Sequence, residues 1–187
     1  MKPEIWQSGE QGESMAKLEI VFEVPAKPDE IFAAVLLGSL VGTGDGSRLG
    51  MQLREEYAYT DEVWADIYNT QNGTICIVFN LYARIKWIRE ILQISWNILT
   101  QMKKELTERE FRAEQKIYIR GADWMLDDSY DMNKNMGILF QTNAWEGWDP
   151  EYWKRMYESV SLRQLKELAG RIFTERNRKI YYMLQTE

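Results

Sequence analysis

The chain has 187 residues, 45% of them hydrophobic and 13% aromatic, and a formal net charge of −6. That apolar content excludes a disordered chain and suits one domain, which at this length buries roughly 70% of the surface its unfolded form exposes. Histidine is absent, and no other unperturbed side chain titrates near neutrality, so Ser-His-Asp and Cys-His triads, histidine bases and His-ligated zinc or haem are excluded from the chain itself.

Residues 1–14 are polar, with Gly9, Gly12 and Ser14 among Glu and Gln, and read as a flexible leader to a single domain at 15–187. Leu18, Ile20, Phe22 and Val24 then alternate with Lys17, Glu19 and Glu23, the period of a half-buried strand, which Pro25 ends. Pro28-Asp29-Glu30 opens a helix through Ile31, Phe32, Val35 and Leu36 to about Val41. After Gly42, Gly44 and Gly46, the alternation of Leu49, Met51, Leu53, Tyr57 and Tyr59 predicts a second strand. Glu62 to Tyr68 and Thr74 to Leu81 flank Asn72-Gly73, a dipeptide that tolerates the positive φ of a tight hairpin. Together these predict an antiparallel three-stranded meander.

Apolar residues at helical spacing from Leu81 to Leu106, with a second stripe of Trp87, Ile91, Ile94 and Ile98, predict a long central helix buried on more than one side. Thr107-x-x-Glu110 matches a capping box, although Ile117-Tyr118-Ile119 resembles a strand. Asp149-Pro150-Glu151 and Ser161-x-x-Gln164 begin a C-terminal helical pair, and Ile180 to Leu184 form a possible last strand. The predicted class is α+β.

Three segments carry candidate chemistry. Oxygen-bearing side chains recur at every second position from Asp127 to Asn135, a spacing found in Ca²⁺ loops. Met136 stands where an EF-hand needs Gly and Thr142 where it needs Glu. Read as Asp127-Asp128-x-x-Asp131, the same residues offer carboxylates for Mg²⁺, against the alternative of a solvated acidic turn. The glycines at 38, 42, 44, 46 and 50 suit a flexible connection better than a phosphate cradle, since the loop follows a helix and lacks the P-loop lysine. Trp145, Trp148 and Trp153, with Tyr152 and Tyr157, stand beside Glu146, Asp149 and Glu151. They form either an aromatic anchor with an acidic rim or part of the core. Cys76, the only cysteine, lies within a predicted strand and reads as a core residue.

Leu36-Leu37-Gly38-Ser39-Leu40-Val41-Gly42-Thr43-Gly44-Asp45-Gly46-Ser47 resembles the signature of LAGLIDADG homing endonucleases, and Ala122 to Ser129 resembles its second copy. The first needs extra residues to align and the second has Ser129 where the family has Gly. The resemblance implies Asp45 and Asp128 as metal-holding acids.

Charge is banded: residues 1–80 carry −8, 81–120 carry +4, 121–150 carry −5 and 151–187 carry +3. An acidic chain disfavours direct nucleic-acid binding, and its longest near-apolar run, Ile31 to Val41, is too short to span a membrane. Without a secretory pattern at Met1 or a second cysteine, a cytoplasmic location is expected. The leading expectation is a non-enzymatic protein that binds a protein partner, of inhibitor, immunity or accessory type, without a cofactor; a basic surface on that partner would suit the acidic bands. One alternative is a nuclease or phosphate-handling enzyme with Mg²⁺ or Ca²⁺ on Asp45, Asp127, Asp128 and Asp131. Another is a small-ligand domain with its pocket between the meander and the helix at 85–106.

Overall fold

A computed structural model describes residues 14–27, 29–44, 46–70, 73–124 and 150–184. The alternating first segment forms β1 (Met15–Pro25), with Leu18, Ile20, Phe22 and Val24 buried and Lys17, Glu19 and Glu23 half-buried on the other face. The hairpin forms as β2 (Thr60–Thr70) and β3 (Thr74–Arg84), with Gly73 at φ 69° in its turn. β4 (Arg178–Leu184) closes the sheet in the order β2-β3-β1-β4. Every pairing is antiparallel: Met15↔Arg84 to Pro25↔Thr74, Ala16↔Leu184 to Phe22↔Arg178, and Thr60↔Ala83 to Thr70↔Thr74 with a bulge between Thr60 and Val63. The fold is α+β, as the sequence predicts.

The expected strand at Leu49–Tyr59 is a helical turn instead, π-helical over Gly50–Glu56. Leu49 and Leu53 are fully buried while Met51 between them is exposed, so the apparent period of two conceals a pair four residues apart on one helical face. The Ser47 hydroxyl accepts from the Gly50 amide at 3.1 Å, and the Ser47 carbonyl accepts from the Met51 amide at 2.8 Å, which starts the turn. The three-stranded meander is therefore a two-stranded hairpin, joined on its β3 side by β1, which in turn pairs with β4.

The long helix is also shorter than its apolar pattern. Leu81–Arg84 belong to β3, a 3₁₀ turn covers Ile85–Trp87, and α2 runs Ile88–Glu105. It buries one face through Ile88, Ile91, Ile98, Leu99 and Met102, while Ile94 and Trp96 are only half-buried. The helix enclosed on nearly every side is α1 (Glu30–Gly42). Its glycines set how closely it lies on the hairpin: a Cβ on Gly38 would stand 2.8 Å from Ile67 Cδ1, and one on Gly42 2.5 Å from Phe79 Cδ1. Such contact leaves no room at these positions for a ligand between the hairpin and α1.

Ile117-Tyr118-Ile119 are helical, within α3 (Glu108–Trp124). The capping box decides it: the Thr107 hydroxyl accepts from the Glu110 amide at 3.2 Å and the Glu110 carboxylate accepts from the Thr107 amide at 2.9 Å. Phe111 and Gln115, four residues apart, are buried, and Ala122 seven further on continues that face. Gln115 Nε2 donates to the Tyr157 and Val160 carbonyls at 2.7 and 3.0 Å, satisfying acceptors at the end of α4 (Pro150–Ser159). The predicted second box starts α5 (Leu162–Ile172), with Ser161 and Gln164 bonding reciprocally. Phe173 then meets Phe22 edge-on at 5.2 Å, and a 3₁₀ turn at Glu175–Asn177 leads into β4.

Two glycines test this packing in opposite directions. Replacing Gly by Ala within a helix ordinarily stabilises by up to about 1 kcal/mol, and Gly121→Ala, with open space at its Cβ position, should raise the urea midpoint accordingly. Gly42→Ala meets the Phe79 ring and should lower it by about 1–3 kcal/mol of stability, since overpacking outweighs propensity.

Burial pushes Glu110 upward, but the Thr107 hydroxyl and amide and the Arg48 guanidinium outweigh it and hold its carboxyl below the usual range. Its contribution to stability is present above the unfolded-state carboxyl pKa and is lost as pH falls through the lower folded value. Glu110→Gln should reduce stability at neutral pH and flatten the acid limb of the stability profile, read from denaturant midpoints across pH.

Candidate partner-binding surface

Among the described residues the helices gather on the sheet face that carries Leu18, Ile20, Phe22, Ile77 and Phe79. Strand alternation and the pairing register place a second set on the opposite face: Trp64, Asp66 and Tyr68 from β2, Cys76, Val78, Asn80 and Tyr82 from β3, Lys17, Glu19, Val21 and Glu23 from β1, and Lys179, Tyr181 and Met183 from β4.

The middle of this face is ordered by a polar lattice. Lys17 Nζ donates to Glu19 at 2.7 Å and lies 5.8 Å over the Trp64 ring. Trp64 Nε1 and Asn80 Nδ2 both donate to Asp66 Oδ2, at 3.2 and 3.0 Å, and the Trp64 and Tyr82 rings lie 5.8 Å apart. The hydrogen bond that Lys17 donates to Glu19 raises the Lys17 pKa despite some desolvation, so the ammonium stays charged and the charges here largely cancel.

The edge strand differs. Among the described residues β4 has a neighbour only on its β1 side, and its outer-face residues Tyr181 and Met183 are 51% and 56% exposed, with Tyr182 and Leu184 also exposed. An open depression of about 400 Å³ runs beside it, lined by Lys17, Glu19 and Ile180 to Met183. Lys179 pairs with Glu23, and the Arg178 guanidinium sits 4.4 Å over Trp96, so the strand is anchored at its start and presents apolar surface beyond. Aromatic and apolar side chains beside an unpaired strand edge form a surface suited to protein contact. Among the described residues no group of three or more acids or thiols could hold a metal ion.

The residues singled out from sequence are placed differently. Trp153 is 8% exposed and packs edge-on against Phe32 at 5.7 Å, while Tyr157, one turn later, meets Phe32 at 5.2 Å. Their shared helical face is turned onto α1, so Trp153 is core and not a partner contact. Burial pushes the Tyr157 phenol pKa far up. Trp145, Trp148, Glu146 and Asp149, and the proposed metal acids Asp45, Asp127, Asp128 and Asp131, lie outside the described residues. Sequence reading missed β4 as a surface. Its one signal was an apolar run, Ile180 to Leu184, that reads equally well as a buried strand.

Cys76 is buried on the outer side of β3, as a core-like residue would be, and burial, with help from Glu23, pushes its thiol from 9.0 up to about 11. At pH 8 only about one thiol in a thousand is then ionised. Alkylation by iodoacetamide should be very slow in the native chain at pH 8 and fast in urea; comparable rates in both states would contradict this placement.

No curated protein matches this sequence. Solved structures do match its fold. A protease from Helicobacter pylori is 17% identical with a TM-score of 0.74 over 92% of this chain and 45% of that one. The inactive peptidase domain of a zinc protease from Bordetella parapertussis is 13% identical with a TM-score of 0.71, over 94% of this chain and 95% of that one. A ferredoxin protease solved in complex with Arabidopsis ferredoxin is 13% identical with a TM-score of 0.67, over 94% of this chain and 19% of that one. The chain thus spans less than half the length of the Helicobacter protein. Residues 3–118, more than half of the sequence, match the family described as Peptidase M16 inactive domain, and the chain belongs to that family.

Proposed function

We propose that this chain is a non-catalytic binding domain that holds an extended segment of a protein partner along β4 and the adjoining outer face of the sheet. The observation that carries this reading is the β4 edge, where Tyr181 and Met183 stand half exposed beside the depression against Lys17 and Glu19. An added strand would hydrogen-bond along the outer side of β4 and seat alternate side chains beside these two residues. Family membership supports the non-catalytic part, and the absence of histidine agrees with it. The ferredoxin protease is a fold relative solved with a protein bound, which supports a protein as the ligand class.

That family replaces the endonuclease resemblance of Leu36–Ser47 and Ala122–Ser129. Leu36–Gly42 is the second half of α1 and Ala122–Trp124 ends α3. The nuclease reading of Asp45 and Asp128 loses the support it drew from those motifs. Charge pairing on the outer face gives no preference for a basic partner there, so apolar and backbone contacts supply the affinity.

The test is capture of a partner by the purified chain followed by hydrogen exchange on the complex. Amides of 178–184 should gain protection, and the double variant Tyr181→Lys, Met183→Lys should weaken binding by about tenfold or more, since central interface anchors each contribute about 1–2 kcal/mol. Unchanged affinity in that variant, with its far-ultraviolet spectrum intact, would remove β4 from the interface.

A further inference from the structure

The outward face of α3 carries a charge pattern that neither the core nor the β4 edge uses. Arg109, Arg112, Lys116 and Arg120 recur at intervals of three and four and are all exposed, which makes one stripe along the helix. From Arg109 to Arg120 it extends about 16 Å at 1.5 Å per residue. Ile117, at its margin, is 62% exposed.

Three acids of the same helix are already engaged. Glu108 accepts from Arg112 at 2.7 Å, Glu110 is held by Arg48 at 2.9 Å and by Thr107, and Glu114 accepts from the Ser39 hydroxyl. The side chains of Arg109, Lys116 and Arg120 make no ion pair or hydrogen bond with any described residue. With Arg112 paired to the exposed Glu108, Arg109, Lys116 and Arg120 leave α3 presenting a positive stripe on a chain whose net charge is −6.

We infer that α3 is a second docking surface, for an acidic protein segment that carries an apolar residue among its carboxylates. Charge complementarity selects an anionic partner. The exposed Ile117 selects a protein over a nucleic acid, because a phosphate backbone offers nothing to cover a bare butyl group and the stripe has no aromatic ring on which a base could stack. Three free cations against a net charge of −6 give a weak field for a polyanion of high charge density. A lipid surface is disfavoured because α3 turns its apolar face, Phe111 and Ala122, into the core and leaves only Ile117 outside. The surface is separate from β4, since α3 packs chiefly against α1 and α4.

The experiment uses the full chain and two labelled peptides of equal length, polyglutamate and a repeat of Glu-Glu-Leu-Glu, followed by fluorescence anisotropy at low and at about 150 mM salt. Both should bind, the leucine-bearing peptide more tightly, with affinity falling as salt rises. The triple variant Arg109→Gln, Lys116→Gln, Arg120→Gln should lose about tenfold or more for both peptides, as expected when three surface attractions are removed. Ile117→Ser should weaken only the leucine-bearing peptide. All three substituted cations and Ile117 are solvent-exposed, and circular dichroism checks that each variant folds. Equal binding by wild type and the triple variant, or no preference for the leucine-bearing peptide, overturns the proposal. Tighter binding to duplex DNA or to anionic phosphatidylserine vesicles than to either peptide overturns it in favour of those ligands. The β4 double variant should bind both peptides as wild type does; a loss there would place the acidic segment on the other surface and also overturn the assignment.

Discussion

A helix without a polar face has to be covered from every direction, and α1 is such a helix: ten of its thirteen residues are buried. Hydrophobic burial contributes about 25 cal/mol per Å², so the chain gains most by surrounding α1. The hairpin closes one side, against Gly38 and Gly42, while α3, α4 and α5 pack on the others. Ser39, the polar side chain that α1 buries most deeply, is satisfied by the Glu114 carboxylate from α3. The order of the layers follows from this one requirement.

The same requirement leaves the other face of the sheet uncovered by the helices described. Packing the described helices around α1 places those helices on one side of a four-stranded sheet. What remains outside is stabilised by polar pairs of a different kind, two across strands, Asn80 to Asp66 and Lys179 to Glu23, and two along one strand, Trp64 to Asp66 and Lys17 to Glu19. Cross-strand polar and aromatic pairs each contribute only a few tenths to about 1 kcal/mol. They keep the face ordered without covering it, and at β4 they stop short of Tyr181 and Met183.

Much of this was legible in the sequence wherever a single local rule decided the outcome. The alternation of β1, the turn at Gly73, and the boxes Thr107/Glu110 and Ser161/Gln164 each depend on residues within a few positions of one another, and each is found in the structure. The misread elements are those where two periods coincide. Leu49, Met51 and Leu53 satisfy a period of two, yet the buried pair is Leu49 and Leu53, and only the site each reaches across the core tells the two apart. Trp153 shows the same limit from the side of function: a tryptophan near acidic residues is equally a hot spot or a core filler until Phe32 is known to face it. The candidate surface was least legible of all, because edge position is a property of strand order and no local pattern in Ile180 to Leu184 encodes it.

A non-catalytic reading also explains a feature that an enzyme would make costly. A catalytic cleft must gather titratable groups in a desolvated place where their pKa values shift toward neutrality. Among the described residues the groups pushed furthest move away from it: burial penalises their charged forms, raising the Cys76 thiol to about 11 and the Tyr157 phenol as well. The charged residues of the sheet's outer face are instead paired where solvent reaches them, beside an edge that offers backbone groups and apolar side chains. Such an arrangement spends little on reactivity and retains what strand addition needs, a rigid template whose register is already set by Ala16↔Leu184 through Phe22↔Arg178.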